Sequence, residues 1–146
     1  MPSAINVARY FLTQVDEESG DSLSNLKLQK LLYYAQGFHL AAYGGPLFPE
    51  NIEAWVHGPV VPSVYRSLKA FGSDPIKIEE PPPLDDFSAR SIELLDEVYS
   101  VYGQFSASSL RNMTHQEPPW KNTPQGCIIP HDLMRDFFKT RIVSEN

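Results

Sequence analysis

Two short stretches of this 146-residue chain gather most of the side chains able to do chemistry. The first is Trp55-Val56-His57-Gly58-Pro59-Val60-Val61-Pro62, followed by Tyr65; the second is Met113-Thr114-His115-Gln116-Glu117-Pro118-Pro119-Trp120. Imidazole titrates near neutral pH, so His57 is a candidate general base. A base needs a nucleophile or second titratable group at hand, and none adjoins His57 in sequence. A histidine held by backbone, with Gly58-Pro59 turning the chain from a strand into a helix, accounts for it more simply. His115 and Glu117 raise a sharper option, metal binding or acid–base work. Their i, i+2 spacing puts both on one side of an extended segment but not on one helix face. Zinc wants a third protein ligand, for which His39, His57, His131 and Glu53 are candidates without a place. No HExxH pair is present. The competing expectation is a structural polar knot, with Thr114 or His115 ending a helix and Trp120 folded back onto the core. A small metal-dependent hydrolase using His57, His115 and Glu117 is therefore the enzymatic alternative to a binding protein. The binding protein expects no catalytic residue, no metal and no cofactor.

Other signals are weaker. Cys127 is the single cysteine, which excludes an internal disulfide framework and a multi-cysteine zinc site. No base adjoins it, so a small buried residue is expected. Gly44-Gly45-Pro46 lacks the GxxxxGK[ST] pattern of a phosphate loop. Tyr33, Tyr34, Tyr43, Tyr99 and Tyr102 recur at helical spacings and are expected mostly in the core, although an exposed one would suit a protein interface.

The elements that must position these residues follow from periodicity. Ile5, Ala8, Leu12 and Val15 predict a helix over 4–15 capped by Ser3. Residues 24–43 predict the strongest helix, with Ser24 or Asn25 as cap and Gly44-Gly45 as stop. It is apolar nearly all round, which places it at the centre. Prolines 46, 49, 59 and 62 forbid a helix over the next stretch. Ile52, Ala54 and Val56 alternate with Glu53, Trp55 and His57, which predicts a strand, and Leu47-Phe48 is expected to pair with it across Pro49–Asn51. A short helix should begin at Pro62 or Ser63, with Val64, Leu68 and Phe71 on one face and Gly72 as stop. Helices are also expected over 87–104, from Ser106 through Leu110 toward Met113, and after Pro130, with Leu133, Met134, Phe137 and Phe138 inward. Pro118-Pro119 is expected to interrupt the pattern. The fold class is mainly α: a single compact helical domain with a small inserted β hairpin.

Composition narrows the function classes. Hydrophobic residues make up 42% and charged residues 21%, as in a folded globule rather than a disordered tail. No apolar run is long enough to span a membrane, and the first residues lack a secretory signal, so no membrane partner and a cytoplasmic location are expected. The net charge of -6 resides in residues 74–97, where eight acidic residues face Lys77 and Arg90. No basic stripe is visible, so no nucleic-acid partner is expected.

The two stretches and the helix before them resemble a known family. The run from Leu28 to Gln36 looks like its N-terminal signature, followed by Gly44-Gly45-Pro46-Leu47-Phe48 and Glu53-Ala54-Trp55. His57-Gly58-Pro59-Val60-Val61-Pro62, Tyr65, Tyr102-Gly103, Thr114-His115, Glu117 and Pro119-Trp120 complete the series. This order resembles the Panacea domain, also called the SocA-like antitoxin domain or the phage-associated GepA-like family, from about residue 5 to 138. Residues 1–146 are thus expected to form a single such domain, standing alone because Met1 lies so close to its start. The resemblance implies an antitoxin that neutralises a cognate protein toxin by direct binding. It further implies that the antitoxin could act as an adaptor to a Clp-type AAA+ protease. Carried over by position, the family motif comprises Trp55, Gly58, Pro59, Val60, Thr114, Glu117 and Trp120, with His57, Tyr65 and His115 as the expected partner contacts. The acidic connector 79–86 is a second candidate surface, suited to steering a basic toxin.

Overall fold

The computed structural model describes residues 1–78 and 80–142. Its elements are α1 (Ala4–Thr13), α2 (Asn25–Tyr43), β1 (Glu53–Trp55), β2 (Gly58–Val60), α3 (Pro62–Leu68), α4 (Ala89–Tyr102), α5 (Ala107–His115), α6 (Pro118–Lys121) and α7 (His131–Lys139). The mainly α domain with a two-stranded antiparallel hairpin is as expected. None of these helices is long and apolar enough to cross a membrane.

Helix α2 is the axis of the fold. Ser24 Oγ accepts from the Lys27 amide at 3.2 Å, and Gly44 ends the helix at φ 79°, a conformation costly for a residue with a Cβ. Its burial extends almost all round, because α1, α3, α4, α5, α7 and β2 all pack on it. The most extensive packing on it is by α7. The Phe138 ring lies against Gly37 and meets the rings of Phe38, Tyr33 and Tyr34 at 4.8, 5.3 and 5.9 Å. A Cβ on Gly37 would stand 2.1 Å from that ring, so the glycine sets how near α7 can come.

The hairpin differs from expectation in its partner. Strand β1 pairs with β2 through Glu53↔Val60, Ala54↔Pro59 and Trp55↔Gly58, and not with Leu47-Phe48. Gln36 already satisfies that segment: its Oε1 accepts from the Leu47 amide at 2.7 Å and its Nε2 donates to Phe48 O at 2.9 Å. Gly58-Pro59 is strand β2 rather than the turn, which falls at Val56-His57 and leaves Val56 56% exposed instead of inward. On its other side β1 is bordered by residues 126–129. The Gly126 amide donates to Ala54 O at 2.7 Å, and the Ala54 amide donates to Cys127 O at 3.0 Å. That edge position exposes Cys127, which was expected to be buried.

Other boundaries shift slightly. Helix α1 ends at Thr13 rather than reaching Val15. Phe71 is exposed in a 3-10 turn after α3. Pro118-Pro119 opens α6 rather than leaving a gap, since proline fits a first helical turn. The connector is neither helix nor strand over its described residues. It is fastened by the Ile76 amide, which donates to Leu23 O at 2.8 Å.

The contact between Phe138 and Gly37 predicts a reversal of sign. Gly37→Ala should lower unfolding free energy by about 1–3 kcal/mol despite alanine's better helix propensity. In a Phe138→Ala background, itself costing about 3–5 kcal/mol, the same change should stabilise by up to about 1 kcal/mol. Urea unfolding of the four proteins checks both.

Candidate functional site

The polar side chains on α2 hold the hairpin in place. Gln29 Oε1 accepts from the Val61 amide at 2.9 Å, and its Nε2 donates to Asn25 Oδ1 at 2.9 Å. Asn25 Nδ2 in turn donates to Tyr65 O at 3.2 Å. Lys30, fully buried, donates from Nζ to Pro59 O at 2.9 Å. A buried polar group left without a partner costs about 1–3 kcal/mol, so these bonds select one placement of residues 59–65 on the helix.

Lys30 also explains Gly58. The glycine adopts φ 109°, and a Cβ there would lie 2.7 Å from Lys30 Cε and 2.9 Å from Thr114 Oγ1. Backbone conformation and lack of space both demand glycine. Burial, with a smaller contribution from the Arg111 charge, pushes the Lys30 ammonium down to about 7 from 10.5.

The hairpin tip meets α5 and α6. Arg111 Nε donates to His57 Nδ1 at 3.3 Å, on an exposed ring. Trp120 Nε1 donates to Trp55 O at 2.7 Å, and the His115 ring stacks on Trp120 at 3.9 Å with 6° between planes. Burial, then the charges of Arg111 and Lys30, hold His115 below its ordinary value, while the Val56 backbone opposes them. The buried His115 Nε2 nevertheless has no partner in hydrogen-bonding geometry. Thr114 is buried in the last turn of α5, and Trp55 meets Tyr65 edge-on at 5.0 Å.

Glu117 belongs to a different neighbourhood. Its Oε1 and Oε2 accept from Tyr33 and Tyr34 hydroxyls, each at 2.9 Å. Burial raises its carboxyl, opposed by those two hydrogen bonds and by Arg141. His57, His115 and Glu117 therefore do not form the shared site that the hydrolase alternative required. Among the described residues no group of three or more His, Cys, Asp or Glu is placed to hold a metal ion.

Beside the hairpin tip lies an open groove of about 730 Å³, walled by Trp55, Val56, His57, Val60, Tyr65 and Lys69. The expected contacts His57 and Tyr65 face it; His115 bears on it only through Trp120 and Trp55. A second groove, of about 590 Å³, lies toward the C-terminal end of α2 and is lined by Phe38, Tyr102, Glu93, Glu97 and Arg141 among others. Within the acidic connector Glu80, Asp85 and Asp86 are exposed; Glu79 lies outside the described residues. Arg111 escaped sequence reasoning altogether. Gln29, Lys30 and Gln36 were visible as polar residues interrupting an apolar helix, a signal that they bond to something buried.

The structure is thus a helical scaffold that braces a small hairpin beside an open groove. The chain belongs to the family described as Antitoxin SocA-like, Panacea domain, whose family model matches residues 28–121. It is 35% identical over 144 residues to Antitoxin SocA of Caulobacter vibrioides (strain NA1000 / CB15N), across 84% of this chain and 75% of that protein. No solved structure matches it.

Lys30 predicts a pH dependence of stability. The folded state resists protonating a group that the unfolded chain protonates below 10.5, so the unfolded state binds more protons between about pH 7 and 10.5. This contribution to stability is complete above that window and is lost as pH falls through it. Lys30→Met should flatten the rise by roughly 1 kcal/mol per pH unit between pH 7 and about 9, before tyrosines titrate. Chemical denaturation of both proteins across that range checks the sign and the size.

Proposed function

We propose that the protein is an antitoxin that neutralises a cognate protein toxin by direct binding, with residues 1–146 acting as one domain. The observation that carries the proposal is the open groove beside a hairpin pinned from beneath, in a chain of the SocA-like family. A pinned hairpin loses little freedom when a partner docks, which favours binding. His57 and Tyr65 are the direct contacts. His115 supports them through its stack on Trp120, whose indole holds the Trp55 carbonyl. Presentation of the bound toxin to a Clp-type AAA+ protease is the finer form of the same activity.

The test is growth rescue from the product of the adjacent reading frame. Wild-type protein should relieve the arrest and co-purify with that product. Tyr65→Ala and His57→Ala should weaken binding by about tenfold or more, since aromatic anchors dominate interfaces, and His57→Ala, at an exposed ring, should do so with little change in melting temperature. Steady toxin during rescue indicates blocking, whereas falling toxin that needs the Clp protease indicates an adaptor. Full rescue by both variants would move the contact off this face.

A further inference from the structure

The groove beside the hairpin has a charge opposite to that of the chain. The protein carries -6 overall, yet the groove lining contains Lys69 and His57 and no Asp or Glu, and the carboxylate beside it, Glu53, is engaged by the Trp55 indole at 3.0 Å. Arg111 stands against His57, and Lys30 lies beneath Gly58. The ion pairs among the described residues are Lys77–Glu17 and Arg135–Asp136, so neither Lys69 nor Arg111 has a carboxylate partner there. Arg111 uses Nε on His57 and one Nη on Asn112 Oδ1, each at 3.3 Å, which leaves donors of its guanidinium fork unspent. His57 accepts at Nδ1, which leaves its Nε2 free to donate to a partner. Arg111 and Lys30 both act on the His115 imidazole, which places their charges near the same corner of the hairpin.

We infer that this face accepts a partner segment carrying a carboxylate beside an apolar side chain. An Asp or Glu of that segment meets Arg111 and His57 with Lys69 nearby, while the apolar side chain enters between Trp55, Val60 and Tyr65. The inference rests on the proposed toxin-binding face and specifies the chemistry of what docks there. The guanidinium fork matches a carboxylate in geometry, and the adjoining indole and phenol walls exclude water and strengthen the attraction. A nucleic-acid backbone would ask for a longer run of positive charge than this cluster supplies. The groove toward the far end of α2, lined by Glu93 and Glu97 against the single cation Arg141, serves as an internal control.

The test uses the ¹⁵N-labelled full-length protein and short leucine-containing peptides, identical except that a pair of positions is Glu, Gln or Lys. A short oligonucleotide is titrated in parallel. The Glu peptide should shift the Trp55 indole and the His57 and Lys69 amides, and bind at least about tenfold tighter than the Gln peptide. The Lys peptide should leave those signals in place. Arg111→Gln should erase the preference, and so should Lys69→Gln, whose exposed side chain leaves folding untouched. Equal affinities, a preference for the Lys peptide, shifts confined to the Glu93–Glu97 groove, tighter binding of the oligonucleotide, or no binding at all would each overturn the inference. Growth rescue by wild type without a charge preference would sink this inference and leave toxin neutralisation standing. A clear Glu preference without rescue by any neighbouring frame would do the reverse.

Discussion

The fold depends on polar side chains of α2 that have no access to water. Gln29, Lys30 and Gln36 sit in a helix surrounded by other elements, where each must find a protein partner or destabilise the native state. All three find backbone of the segment that follows: Phe48 and Leu47 for Gln36, Val61 for Gln29, Pro59 for Lys30. Prolines deny that segment a helix of its own, so its backbone is available to be bonded from beneath. The irregular loop and the small hairpin thereby acquire a fixed position that a two-stranded sheet could not hold alone.

Lys30 connects this bracing to electrostatics. A compact ammonium fits under Gly58 only because the glycine lacks a Cβ, and its burial makes the proton easy to lose. Arg111, Lys30 and His115 then lie within reach of one another's fields, while the buried carboxylate of Glu117 is occupied by tyrosine hydroxyls. At the hairpin tip Arg111 has no carboxylate partner among the described residues, and the Glu53 carboxylate is taken up by the Trp55 indole. Charge located by sequence alone pointed to the connector at 79–86; charge located in space points to the opposite side of the question, at Arg111.

The helices were legible because their signals are local. Ser24, Ser88 and Ser106 cap the helices that follow them, Gly44 stops α2, and the absence of a polar face on α2 marked it as central. The hairpin was half legible. Alternation from Ile52 located β1, but nothing local distinguished Leu47-Phe48 from Gly58–Val60 as its partner. Gln36 decided that choice by taking the Leu47 and Phe48 backbone. Cys127 was misjudged for a similar reason: a lone small thiol is usually buried, and only the pairing of 126–129 along β1 put it at an edge.

His57, His115 and Glu117 mark the boundary between the two kinds of information. Residue types and spacing established a mainly α domain, the motif series of the family and a set of titratable side chains, because caps, periodicity and turn residues act within a few positions of the chain. Whether those side chains share a site depended on contacts far apart in sequence. Stacking carried His115 onto Trp120, buried hydroxyls drew Glu117 toward Tyr33 and Tyr34, and Arg111 reached His57 across the hairpin tip. Burial and hydrogen-bond satisfaction are properties of the packed chain, so only the tertiary structure could separate the three and set Arg111 against His57 beside the groove.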